Sequence, residues 1–227
     1  MNKKKIILIL CILCILCISI LIAFLIKNNY KILNFGNTIT SKSIEEMEEY
    51  ILNISSYEAR LEITVTSNKN ENKYILSQKC GSDNTLKQEV IEPSNIQGMQ
   101  TIYHDGKLEI KNSKLGLTTI IENYPYVTEN VLWLSSFIKD YKESTKKSIN
   151  EENNMYVMEV TTENLNQYMY NKILYIDKKT NKPSKMVIKD KNNKTLIYIL
   201  YNEINFDSLS KEEILAFHLN NYLYKDI

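Results

Sequence analysis

Hydrophobic positions along this chain change their spacing several times, and each change marks a different kind of segment. From Ile6 to Ile26 there are 21 consecutive uncharged residues, interrupted only by Ser19 and the thiols of Cys11, Cys14 and Cys17. At about 1.5 Å per residue such a helix spans roughly 30 Å, the thickness of a hydrocarbon core. The pattern predicts a membrane anchor that meets lipid through Ile6, Leu10, Leu13, Leu16, Leu21, Phe24 and Ile26. A cleavable signal has an apolar stretch of only about 7–15 residues, and no small-x-small site precedes Lys27. The residues before the three cysteines are Leu10, Leu13 and Leu16, too bulky for a lipidation signal, so the thiols read as small apolar groups in a lipid-facing helix.

Residues 27–42 are polar without a period and read as a tether. A helical period begins at Ser43, where Ser43 and Glu46 form a capping box and Met47, Tyr50, Ile51 and Ile54 follow at i, i+3, i+4 and i+7. This predicts a helix over 43–54. The period then falls to two: Tyr57, Ala59, Leu61, Ile63 and Val65 alternate with polar neighbours. A strand with one buried face is predicted there, with Tyr57, Leu61, Ile63 and Val65 lining the concave side of a sheet.

Further extended runs are expected from Tyr74 to Cys80 and over 85–92, 101–103, 107–111, 115–121, 155–162, 168–177, 184–190 and 194–205. Asp105-Gly106 between two of them is a tight-hairpin signal, because that turn needs positive φ. Thr128 is placed to cap a second helix with Val131, Leu134, Phe137, Ile138 and Tyr141 on one stripe, and Ser210 opens a third carrying Ile214, Leu215, Phe217, His218 and Tyr222. With about eight or nine antiparallel strands, three helices and no βαβ rhythm, the fold class is α+β. A transmembrane helix is followed by one strongly curved antiparallel sheet covered by about three helices. The organisation is a cytoplasmic N-terminus (1–5), the anchor (6–26), the tether (27–42) and one extracytoplasmic domain (43–227).

Charge sets the orientation. Lys3, Lys4 and Lys5 favour a cytoplasmic N-terminus, which places the domain outside the cell membrane. There Cys80 is the sole cysteine, so no internal disulfide can form. A net charge of +1 shows no nucleic-acid surface. Two histidines, His104 and His218, with one thiol do not make a zinc set, and five glycines argue against a phosphate loop. Cys80 lies on the apolar parity of its strand and reads as core. No catalytic residue, metal site or cofactor is expected, and the domain reads as a binding module. Its partners would be the membrane, a protein and, as an alternative, lipid.

Sixteen tyrosines, most of them on expected strands, reflect β-propensity or an amphipathic contact surface. The run Leu196 to Tyr201 is apolar on both faces. It reads as an edge strand, with Leu196, Tyr198 and Leu200 facing a partner or exchanging with a second copy in a homodimer.

Several segments together resemble the lipoprotein-carrier, or LolA-like, superfamily. They are Leu174 to Asp190 with Asp177, Pro183 and Asp190 at its turns; Tyr198 to Phe206 ending in Glu203-Ile204-Asn205-Phe206; the Tyr103 to Leu108 hairpin; and Ser56-Tyr57-Glu58-Ala59 after the first helix. Within it, the tyrosine-rich strands and the Lys- and Asn-rich composition of an AT-rich genome are similar to the GerS-type germination lipoproteins of clostridia. The resemblance implies a half-open β-barrel with helices in its mouth. It also implies a non-enzymatic role in spore germination, binding and activating a cortex-modifying amidase. Unlike those lipoproteins, this chain has no lipidation signal.

Overall fold

The structure is a computed structural model and describes residues 42–124, 130–162, 169–206, 209 and 211–216. The expected anchor, the Thr128 and Ser210 caps and His218 lie outside these residues. Among the described residues no helix is long and apolar enough to cross a membrane.

The order is α1 (Ile44–Leu52), β1 (Tyr57–Thr66), β2 (Glu71–Cys80), β3 (Leu86–Glu92), β4 (Met99–His104), β5 (Lys107–Asn112) and β6 (Leu117–Ile121). Then come α2 (Leu134–Glu143), β7 (Lys147–Glu152), β8 (Met155–Thr161), β9 (Asn171–Asp177), β10 (Lys182–Lys189), β11 (Thr195–Phe206) and α3 (Lys211–Ala216). All eleven strands form one antiparallel sheet in the order β6-β5-β4-β3-β2-β1-β11-β10-β9-β8-β7. Two meanders meet at the first and last strands, and the sheet stays open, with β6 and β7 as its edges.

The eleven strands exceed the expected eight or nine, and ten of them fall on the extended runs named above. The strand with no counterpart in the sequence reading is β7, whose Lys-Ser-Ile-Asn-Glu-Glu run is polar because it is an edge exposed on both faces. The expected burial of one side of 115–121 also fails, since all five residues of β6 are exposed. The largest correction concerns Leu196, Tyr198 and Leu200. Their strand, β11, is no edge: it lies at the centre, paired with β1 on one side and β10 on the other. Apolarity on both faces here comes from a central position, not from a missing neighbour.

The local rules act where they should. Ser43 caps α1 through a reciprocal box: its hydroxyl accepts the Glu46 N–H at 3.1 Å, and the Glu46 carboxylate accepts the Ser43 N–H at 2.8 Å. Asp105 and Gly106 take φ of 49° and 74°, so the β4–β5 hairpin turns through two left-handed residues as their types demand. Pro183 cannot donate to a ladder, and the β9–β10 register slips beside it, between Pro183 and Lys185.

One row of side chains shows how the core is laid across the sheet. Ile149, Met158, Leu174, Met186, Ile199 and Ile63 stand opposite one another from β7 to β1. Met158, Leu174, Met186 and Ile199 have no exposure at all. Over this face lie Met47 and Ile51 of α1 and Leu134, Phe137, Ile138 and Tyr141 of α2, all in the same apolar cluster.

Candidate functional site

Tyr57, Leu61, Ile63 and Val65 share the inner face of β1. The first three are fully buried and Val65 is half-buried, all within the cluster closed by the two helices. The Tyr57 hydroxyl accepts the backbone N–H of Leu134 at 3.1 Å, the first residue of α2. Its ring packs on Trp133, with centroids 6.4 Å apart. Burial holds the Tyr57 phenol well above its ordinary pKa, so it stays protonated.

The other end of α2 is held by charge. Lys172 of β9, almost wholly buried, donates to Ser136 Oγ at 3.0 Å and to the Asp140 carboxylate. Burial lowers its pKa against the opposing pull of Asp140. Parity alone puts Lys172 inside with Leu174 and Ile176, but nothing local names a partner 32 residues away. Next to the N-terminal end of α2, Gln78 Nε2 donates to Gln88 Oε1 at 2.9 Å and to the Leu132 carbonyl at 3.4 Å. The Tyr156 hydroxyl of β8 donates to the Lys42 carbonyl, tying down the start of α1.

The described residues hold one thiol, Cys80, and one imidazole, His104. The Cys80 thiol is buried and free, and burial pushes its pKa up to about 12. His104, at the end of β4 and not in the turn itself, lies between Glu109 (Nε2, 3.1 Å) and Asp105 (Nδ1, 3.3 Å). Lys211 of α3 reaches Asp105 from the far side at 2.7 and 2.8 Å. This cluster ties α3 to the β4–β5 hairpin. Among the described residues no group of three His, Cys, Asp or Glu side chains could hold a metal ion.

The outer face of β8–β11 is different in kind. Two rows cross it: Val157, Tyr175, Lys185 and Leu200, then Glu159, Ile173, Val187, Tyr198 and, on β1, Thr64. Val157, Ile173 and Val187 are buried although they face away from the helices. The Lys185 ammonium sits 4.1 Å from the Tyr175 ring centroid. Tyr198, on β11 at one side of this face, is 36% exposed. Leu196, Tyr198 and Leu200 therefore project outward, as parity requires, from a strand that itself has no free edge. Tyr57 and Tyr198 separate the two uses of tyrosine here, one in the core and one on a contact-type surface.

The fold thus defines a class: an open antiparallel sheet with two helices packed over part of its inner face and with Tyr175 and Tyr198 on its outer face. The family model of the YdcC-like sporulation proteins matches residues 3–215, and this chain belongs to that family. No curated protein matches the sequence. Among solved structures, an uncharacterised conserved protein from Thermus thermophilus shares the fold, with TM-score 0.50 and 11% identity over 76% of this chain and 93% of that one. A chain of the complex of CwlD amidase with the GerS lipoprotein from Clostridioides difficile is similar at TM-score 0.48 and 22% identity, covering 77% of this chain and 100% of that chain. A LolA-superfamily protein from Nitrosomonas europaea is similar at TM-score 0.41 and 9% identity, over 75% of this chain and 96% of that one.

Proposed function

We propose that this sporulation-family chain is a membrane-anchored, extracytoplasmic binding protein that performs no chemistry of its own and holds a protein partner on the outer face of β8–β11. The carrying observation is a contrast between the two sides of the same strands. Their inner row is packed against α1 and α2 with no exposure, while their outer row presents Tyr198, Tyr175 and Leu200. Tyr175 and Tyr198 give this face large amphipathic rings of the kind enriched in interface cores, beside the charges of Glu159 and Lys185. The apolar run from Ile6 to Ile26 would hold the domain permanently at the membrane. The finer reading, that the partner is a cortex-modifying amidase and that the complex serves germination, rests on the sequence resemblance and on membership of a sporulation family.

The test is co-elution of the full chain, in detergent, with each cell-wall amidase of the same organism, together with the timing of expression. Binding to an amidase and expression confined to sporulation support the reading. Absence of binding across the whole set, or expression only in growing cells, overturns it.

A tethered lipid or lipoprotein binder is the second reading. It is favoured by one observation: at the β4–β6 wing the inward-facing Met99 and Ile110 are only half-buried and Leu117 is exposed. Lipid retained by the purified chain, seen by mass spectrometry after extraction, would support it.

A further inference from the structure

We propose that β6 is a self-pairing edge, at which two copies of the chain join their sheets antiparallel about a two-fold axis at Thr119. Of the five exposed large hydrophobic residues among those described, four lie within seven residues: Leu115 (67%), Leu117 (60%), Ile120 (54%) and Ile121 (39%). The fifth, Tyr198, belongs to the outer face already discussed. The four sit on and just before an edge strand whose only neighbour among the described residues is β5.

An exposed edge is normally blunted by charge, proline or a bulge. The opposite edge follows that rule. In β7, Glu151 pairs with Lys178 at 2.6 Å, and Lys147 reaches the Tyr141 carbonyl at 2.9 Å. β6 has none of these devices. Residues 115–121 contain no charge and no proline, and the strand runs against β5 in unbroken register from Leu117 to Ile121. A sequence of β-branched and aliphatic residues, flat and apolar on both sides, is the composition of a paired strand.

The occupant follows from symmetry and charge. A two-fold contact sets each surface against itself, so any charge near the axis meets its own sign. β6 is free of that penalty. With Thr119 on the axis, Thr118 faces the copy's Ile120 and Leu117 faces its Ile121. These are threonine and branched aliphatic cross-strand pairs of the favourable kind. Every position meets one of the same parity, so inner faces stay continuous and unpaired backbone groups meet unpaired groups. The first charge after the strand, Glu122, falls opposite Gly116 and pairs with Lys107 at 3.1 Å, and on the neighbouring β5 Lys111 and Glu109, opposite Thr118 and Ile120, pair with each other at 2.8 Å. The strand is short, so the contact is smaller than a standard interface of about 1,600 Å² and self-association is expected in the micromolar range.

The experiment uses the full chain in detergent, with Cys11, Cys14 and Cys17 replaced by serine and Cys80 left in its buried position. Thr119→Cys should form an intermolecular disulfide under mild oxidation, at least tenfold faster than Lys69→Cys in the exposed β1–β2 turn. That ratio discounts association through the anchor itself. Independently, Leu117→Lys and Ile121→Glu should each lower the dimer fraction at least fivefold, and mixing the two should restore it, because those positions face one another. Circular dichroism verifies that each variant is folded. Cross-linking no faster than at Lys69, or variants that leave the dimer fraction unchanged, overturns the proposal. So does a monomeric chain whose β6 variants instead lose binding to phospholipid vesicles or to another protein.

Discussion

The hydroxyl of Tyr57 and the backbone N–H of Leu134 meet at 3.1 Å across 77 residues of sequence. Trp133, at the N-cap of α2, supplies no side-chain hydrogen bond to the helix. A donor of the first turn is therefore satisfied from the sheet below, by a buried phenol acting as a cap. Tyr57→Phe keeps the ring and its contact with Trp133 but leaves that N–H unpaired. The expected cost is about 1 kcal/mol of unfolding free energy, measured by urea titration. An unchanged midpoint would show that another acceptor replaces the phenol.

The Lys172–Asp140 pair anchors the same helix by a different term. Removing one partner strands a buried charge, so Lys172→Met or Asp140→Leu alone should cost about 3 kcal/mol or more. The double variant should recover most of that loss, since two apolar groups need no pairing. Denaturant unfolding of the three variants provides the check.

The same lysine gives a signed pH dependence. Its folded pKa is lowered, while unfolding restores the ordinary 10.5. Between the lowered value and 10.5 the unfolded chain binds more protons, so this group makes stability rise with pH through that window. Lys172→Met should flatten the rise, read from unfolding free energies taken from neutral pH upward.

Cys80 should be chemically silent in the folded chain. Its thiol is 4% exposed and its pKa is pushed from 9.0 to about 12. At pH 8 the thiolate fraction is then roughly a thousandfold lower than for an ordinary thiol, before access is counted. With Cys11, Cys14 and Cys17 replaced, modification by a disulfide reagent should track global unfolding. The stabilising contribution of the protonated thiol is complete below about pH 9 and is lost as pH rises toward 12.

On the outer face, Tyr198→Asp should weaken binding to the partner at least tenfold, with the fold intact by circular dichroism. Tyr198 is the exposed large hydrophobic residue described on this face, and a desolvated carboxylate there opposes docking. Co-elution with the amidase that binds the unaltered chain is the measurement. Equal binding by the variant would move the contact elsewhere.

Much of this protein is local, and so was legible along the chain. The Ser43 capping box, the alternation through Tyr57 to Val65 and the Asp105-Gly106 turn are satisfied by residues a few positions apart, which is why spacing alone predicts them. Parity also names the side of the sheet on which Lys172 and Tyr198 stand. What spacing cannot carry is the identity of a strand's neighbours. Hydrogen bonding between β1 and β11 joins Tyr57 to Phe206, so the strand that looked like an edge is central, and a polar run, Lys147 to Glu152, becomes the true one. The partners of Tyr57 and Lys172 were hidden for the same reason. Periodicity reports how each segment divides between water and core. Only the closed packing of distant segments decides which buried polar groups meet, and which apolar strand is left without a neighbour.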